Sequence, residues 1–424
     1  MIIRGFELNK GTVGASTSQS EDNISALIAN GPAVAPVVGG VTGVVNGTVY
    51  TLTKLKDAEA MGITAAYDTT NSVRVHRHIS EFYRMAGEGT KLFLVVGAVA
   101  LTMQQLIETH GQALIIAAGG AINYIAVAYN PVTGYVATYV DGLEENVRDS
   151  IAPAQALHEW SWNTDRPVVL MLEGRGLNAT GATALDLRNI QEGVALLAAT
   201  HVVLCVGQDW DYAETQNAIG KKMADVGTLM GTKAAISVNR NVGEVEMLDI
   251  SSATKSRWLK AGLSNHSTIE TMDADLADFD TKGYVFGLAY TGVTGIRWND
   301  DHVCAPATVD DDGFISISTL GHAATINKAA RLLRKKLLPK LKTTVPVDSS
   351  TGYLPTGIRK YFENLGDTVF ENMANAGEVS DGKSYVDPLS NLLTGAKELK
   401  VEFSLVPTAP IGKIKGTLNL KTTL

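Results

Sequence analysis

The stretch 91-KLFLVVGAV-99 has one charged residue at its start and none after it. An apolar run of this length, rich in β-branched residues, reads as a strand buried on both faces. The pattern recurs at INYIAVAYN (122–130), RPVVLMLEG (166–174), HVVLCVG (201–207) and KAAISVN (233–239). Helical spacing of apolar residues fills the intervals at 102–118, 142–160, 183–199 and 212–230. Apolar strands alternating with amphipathic helices predict a doubly wound α/β unit with a parallel sheet.

Outside that unit the pattern changes. Residues 15–23, ASTSQSEDN, form a polar arm, preceded by a short alternation of Phe6 and Leu8 with Glu7 and Asn9. Asn46-Gly47, between Val44-Val45 and Thr48–Tyr50, is a two-residue hairpin signal. Helices are expected at 57–62 and 71–86, then strands at 284–298 and 314–320. A basic helix follows at 326–338, with Ile326, Ala330, Leu333 and Leu337 in one stripe and Pro339 ending it. Pro355 and Thr356 open another helix, to about 375. Near the C-terminus Leu399, Val401, Phe403 and Leu405 alternate with polar residues, as do Ile414, Leu418 and Leu420. These predict two strands joined by VPTAPIG (406–412).

The chain has 424 residues, more than one core normally holds. Its 45% hydrophobic and 19% charged content excludes wholesale disorder. Two cysteines cannot form a disulfide framework, and no apolar run is long enough to span a membrane. No signal segment is visible at the N-terminus, so a protein folded in a reducing compartment is expected. The net charge of −8 disfavours general nucleic-acid binding. That charge is uneven. Residues 1–324 carry 21 basic and 35 acidic groups, whereas 325–424 carry 15 and 9. Ten carboxylates fall between Glu270 and Asp312, and none between Gly313 and Val347.

Candidate chemistry is sparse. Gly227 and Gly231 before Thr232-Lys233 only loosely resemble a phosphate loop, with the lysine misplaced, so a plain loop is expected. His76 and His78 would share one face of a strand, but no third metal ligand is near and Arg74 and Arg77 repel a cation. Cys205 lies in an apolar strand and reads as a small hydrophobe; Cys304 beside His302 is a slight nucleophile cue. Asp209 and Asp211, at a strand's C-terminal end, suit either an acid/base pair or a helix cap, and the cap is favoured. No cofactor and no catalytic residue is assigned.

The order TINKAARLLRKKLLPKL, GIRKYFENLGDTVFENMANAGEV, SYVDP (384–388) and LKVEFSLVPTAPIGKIKGTLNL resembles the C-terminal domain of contractile tail sheath proteins. The N-terminal arm and its following small-residue strands are similar to that family's beginning. The resemblance implies an α/β plus α+β fold. A discontinuous core, of the handshake type, would be built from 25–90 and 313–396. An outer α/β domain (91–312) would be inserted in it, flanked by an N-terminal linker arm (1–24) and a C-terminal strand arm (397–424). It implies a non-enzymatic subunit that polymerises around an inner tube and contracts to drive the tube through an envelope. Intersubunit strand residues would be Phe6, Leu8, Leu399, Val401, Phe403, Leu405, Ile414, Leu418 and Leu420. Arg331, Arg334, Lys335 and Lys336 would face the tube. Implied partners are other copies of the chain, the inner tail tube protein, and baseplate and tail terminator proteins, with no nucleic acid and no membrane insertion. Assembly is expected in the bacterial cytoplasm, in a phage tail or a contractile injection particle. The competing readings are an α/β hydrolase-like enzyme using Asp209 and Asp211, or a capsid or baseplate component.

Overall fold

The computed structural model describes residues 21–393, 397–418 and 420. Phe6 and Leu8 lie outside the described residues.

Six strands form the main sheet: β1 (Ser25–Asn30), β2 (Val49–Leu52), β3 (Leu92–Gly97), β4 (Tyr124–Ala128), β5 (Val169–Glu173) and β6 (Val202–Cys205). Their order is β6-β5-β4-β1-β3-β2. All neighbours are parallel except β2, which runs antiparallel to β3 at one edge. The four strands read at 91–207 are all present. Their alternate residues feed two cores on opposite faces: Leu94, Val96, Ala126 and Met171 on one, Phe93, Val95, Ile125 and Leu170 on the other. That two-sided burial is why these runs contain no polar alternation.

The central strand, β1, is one the sequence pattern does not announce. It comes from the segment assigned to the core unit, yet pairs on one side with β3 and on the other with β4. The boundary placed at residue 90 therefore cuts through a continuous sheet. The expected hairpin at Asn46-Gly47 is also corrected. The turn is there, but Val44 bridges to Val34 and Val49–Leu52 pairs with β3. Asn46 instead donates its side-chain amide to the carbonyls of Gly31, Val96 and Gly97.

Helices α1 (Val75–Ala86), α2 (Met103–Ala117) and α3 (Ile151–Asn163) surround this sheet. The helix expected at 183–199 is replaced by a small hairpin, Ile190–Glu192 with Ala195–Leu197. Gly193 turns it at φ 65, which a β-carbon disfavours, so the apolar spacing there never becomes a helix. The fifth strand expected at 233–239 is absent. Lys233 and Ala234 close a helix instead, and the Lys233 ammonium donates to the carbonyls of Val238 and Arg240. That helix follows the short α4 (Trp210–Glu214) and is α5 (Val226–Ala234). The long strands expected at 284–298 shrink to two-residue pieces at Gly287–Leu288 and Arg297–Trp298. At 314–320 the strand shrinks to two single bridges, Ile315 to Val309 and Thr319 to His302, before a helix begins at Leu320.

The C-terminal part is a separate layer. Helix α6 (Leu320–Leu337) starts at the Thr319 cap, whose hydroxyl accepts from the His322 amide. It ends at the 3-10 turn containing Pro339. Helix α7 (Thr356–Asn375) packs on it, and strands β7 (Val379–Val386) and β8 (Val401–Pro407) form an antiparallel pair over α7. Ala329, Leu333, Val369, Phe370, Met373 and Val379 make its small core, with Phe403 and Leu405 against it.

Candidate assembly surface

Helix α6 joins the C-terminal layer to the sheet, and its basic residues divide into two groups. Arg331 is turned inward. Its guanidinium donates to the carbonyls of Gly120, Ile122 and Pro167, each at 2.6 Å. These carbonyls belong to the turns that feed β4 and β5, so one side chain clasps both connections. Arg334 pairs with Asp165 at 2.6 Å. Lys335 and Lys336, on the last turn, are exposed. The four cations expected on one tube-facing side are thus split, because Arg331 is consumed within the subunit. Beside the exposed pair, Lys340 lies over the Tyr361 ring and Lys360 pairs with Glu363.

The C-terminal strand residues are divided as well. Val401, Phe403 and Leu405 lie on β8, which pairs within the chain: Phe403 opposite Ser384 and Leu405 opposite Gly382. Leu399 precedes the strand. Their alternation reflects a half-buried intrachain strand, with Glu402 and Ser404 turned outward. Ile414, Leu418 and Leu420 form no strand; they are 85%, 96% and 101% exposed.

Among the described residues β8 has β7 as its strand partner and an open edge on the other side. An apolar groove of about 660 Å³ runs beside it. Residues 403 to 407 all line the groove, both the inward and the outward side chains. Successive strand residues point to opposite faces, so a groove touching both runs along the strand's edge. Ile326, Ala330, Leu333 and Leu337 of α6, Phe370, Trp162 and the loop residues Phe314 and Ile315 complete its wall. The α6 stripe was legible in the sequence. Trp162, Phe314 and Phe370 were not, because they come from three distant segments.

The chemical candidates resolve into packing. Asp209 accepts from the Tyr212 amide and caps α4, as expected. It also accepts at 2.9 Å from Arg77, which meets Asp225 at 3.0 Å and lies 4.1 Å from the Tyr212 ring centroid. Burial raises the Asp225 carboxyl to about 6 against the pull of Arg77. Asp211 stands in the first turn of α4, outside these ion pairs. His76 and His78 sit on helix α1, not on a strand, so they do not share a face. His76 lies 3.4 Å from Glu59, while His78 accepts from the Gly227 amide and burial lowers it to about 3. Gly227 and Gly231 are on α5, where a β-carbon would fall 2.5 Å from the His78 carbonyl and 2.8 Å from that of Phe82. They permit close crossing of α1 and α5. Cys205 and Cys304 are fully buried, and burial raises both thiols, Cys304 to about 12. Asp280, Asp300 and His302 lie close enough together to suggest a cation site. Their ligand atoms already meet Asn299, Asn241 and one another, and the Arg188 guanidinium sits 2.8 Å from His302.

A search of curated protein sequences finds no match. Among solved structures, the chain is similar to the helical sheath of the anti-feeding prophage in its contracted state. The TM-score is 0.58 at 11% identity, over 99% of each chain. A chain of the anti-feeding prophage baseplate matches with TM-score 0.58 at 9% identity, over 100% of each. A sheath tail protein from Desulfitobacterium hafniense matches with TM-score 0.48 at 9% identity, over 95% of this chain and 100% of that one. The first of these matches shows that the chain has the fold of the anti-feeding prophage sheath. The DUF2586 N-terminal domain model matches residues 14–302 and the DUF2586 C-terminal domain model residues 321–424. The chain, sheath-like in fold, belongs to the DUF2586 family.

Proposed function

We propose that this chain is the structural subunit of a contractile tail sheath, which polymerises around an inner tube and shortens to drive it through an envelope. One observation carries the reading. An exposed segment beyond Thr408, with period-2 apolar residues, stands in the same chain as an open strand edge beside an apolar groove. The tail of one copy, through Ile414, Leu418 and Leu420, adds along β8 of the next. The edge supplies unpaired amides and carbonyls, and the groove takes every second side chain. Tail and groove are different surfaces, so the contact is heterologous and propagates instead of closing a dimer. The N-terminal arm, with Phe6 and Leu8, makes a second such link. Lys335 and Lys336, with Lys340 and Lys360 near them, face an acidic tube. Baseplate and terminator proteins cap the polymer at its two ends.

Electron microscopy of the chain, expressed alone and with its tube protein, tests the reading. Striated hollow tubes are expected, and a discrete closed oligomer would overturn it. Removing residues 409–424 is expected to abolish tubes while the monomer keeps its melting temperature. The cut belongs after 408, because 401–407 complete the subunit's own sheet and the Thr408 hydroxyl accepts from Asn239.

A further inference from the structure

The first described residues, 21–24 (the N-terminal exit), and the residues just past β8 (the C-terminal exit) are joined by a short run of polar contacts. At the N-terminal exit, Asn123 donates its side-chain amide to the Glu21 carbonyl at 2.6 Å, and its backbone amide meets the Ile24 carbonyl. Asp22, in the same turn, accepts from the Lys328 ammonium at 2.6 Å. The same ammonium donates to Glu378 at 2.5 Å. The neighbouring Gly377 carbonyl accepts from Asn239 at 2.9 Å, and Asn239 also donates to the Thr408 hydroxyl at 2.8 Å. Thr408 is the first residue past β8. The path Asp22–Lys328–Glu378–Gly377–Asn239–Thr408 thus links both exits without crossing the six-stranded sheet.

Lys328 is the junction. It is 17% exposed, and its two carboxylate partners are 26% and 9% exposed, so the pairs are sheltered from screening. A lysine donates three bonds from one point charge, which suits holding two carboxylates from different segments. Glu378 is held in turn by its backbone amide on the Met373 carbonyl, at the end of α7.

We infer that Lys328 couples the two chain exits of one subunit, so that order or tension at residues 21–24 is transmitted to residues 377–408 through this path. The inference rests on the sheath reading only for its use: in a polymer, each subunit would carry pull from one neighbour to the next across six residues. The coupling itself belongs to the single chain and can be tested without assembly.

Hydrogen exchange on the full-length chain provides the test. Asp22→Asn changes no residue of α6 or of its apolar core and removes only the charge that Lys328 meets at 21–24. It is expected to accelerate exchange at 21–24, and also at 377–379 and 404–408, by about tenfold, the scale of one charged hydrogen bond. Amides of β6 are expected not to change. Lys328→Met is expected to loosen both exits together. Acceleration confined to 21–24 in Asp22→Asn would overturn the coupling. Failure of the wild-type chain to form tubes would count against the sheath reading alone. Where tubes form, Lys328→Met tubes are expected to assemble and then fragment under shear that wild-type tubes survive.

Discussion

Arg331 and Pro167, 164 positions apart in sequence, are joined by a 2.6 Å bond from the guanidinium to the backbone carbonyl. The same head group holds Gly120 and Ile122, so α6 is fastened by backbone acceptors to the turns that feed β4 and β5. A cation used in this way cannot also meet a partner. Arg331→Met should cost about 3 kcal/mol, because it strands three carbonyls that water reaches poorly. Denaturant unfolding would register the loss. Lys335→Glu with Lys336→Glu should leave stability within about 0.5 kcal/mol while weakening association with an acidic tube protein.

The Arg77 cluster makes a prediction with a sign. Arg77 is buried among Asp209, Asp225 and Glu81. Arg77→Met leaves Asp209 and Asp225 without their guanidinium, while Glu81 keeps Arg84 and Arg257, and should destabilise the fold by about 3–5 kcal/mol at neutral pH. Burial already holds the Asp225 carboxyl at about 6, above its ordinary value, and losing Arg77 raises it further. A raised carboxyl pKa stabilises on the acid side, so the variant should gain stability as pH falls from about 8 to about 5. Unfolding midpoints across that range would check this, and a flat or falling profile would contradict it.

The His158 and His201 rings stack with centroids 3.4 Å apart and planes 11° apart, both buried. Burial lowers both, His201 to about 3 from 6.5, with His158 adding to the effect. Glu159 favours protonation of His158, and Asn327 of α6 that of His201, but neither prevails. A base whose folded pKa is depressed contributes stability above 6.5 that is lost as pH falls toward 3. By about pH 4.5 the loss from His201 alone should reach roughly 2–3 kcal/mol. His78 behaves in the same way. His201→Phe, which keeps the stack, should therefore remove part of the acid sensitivity, read as a smaller gap between unfolding at pH 7 and at about pH 4.5.

Gly227→Ala should lose about 1–3 kcal/mol, since the new methyl meets the His78 backbone at 2.5 Å and the two helices must part. Thermal unfolding of Gly227→Ala beside a control such as Gly412→Ala, where a β-carbon meets nothing, would measure it.

Several elements were readable because one local pattern was enough. The strands at 92–97, 124–128, 169–173 and 202–205 are apolar on both faces, and no other element of that length buries both. Pro339 and Pro355 bound α6 and α7 through their ring geometry. The expected helix at 183–199 failed at Gly193, and the expected strand at 233–239 failed because Lys233 found carbonyl acceptors beyond the helix end. In both places a single residue's backbone or hydrogen-bonding requirement overrode the spacing of its neighbours.

The site was half readable. The alternation of 399–405 and of 414–420 was plain, but alternation does not say which strand a strand pairs with. Only the tertiary structure closes Val401–Pro407 on Val379–Val386 and leaves Ile414, Leu418 and Leu420 in the open. The seven cations from Lys328 to Lys342 were likewise visible as a run. Helical rotation and the carbonyls brought beneath it send Lys328 to Asp22 and Glu378 and Arg331 into the sheet, and leave Lys335 and Lys336 outside. The sequence by itself determined the alternation of strands and helices, the charge division and the alternating tail, since each is a property of neighbouring residues. The tertiary structure decided that Ser25–Asn30 is the centre of the sheet, and which charges are spent within the subunit. Those outcomes depend on pairing between segments far apart in the chain, where burial and hydrogen-bond satisfaction choose among partners that local pattern leaves equal.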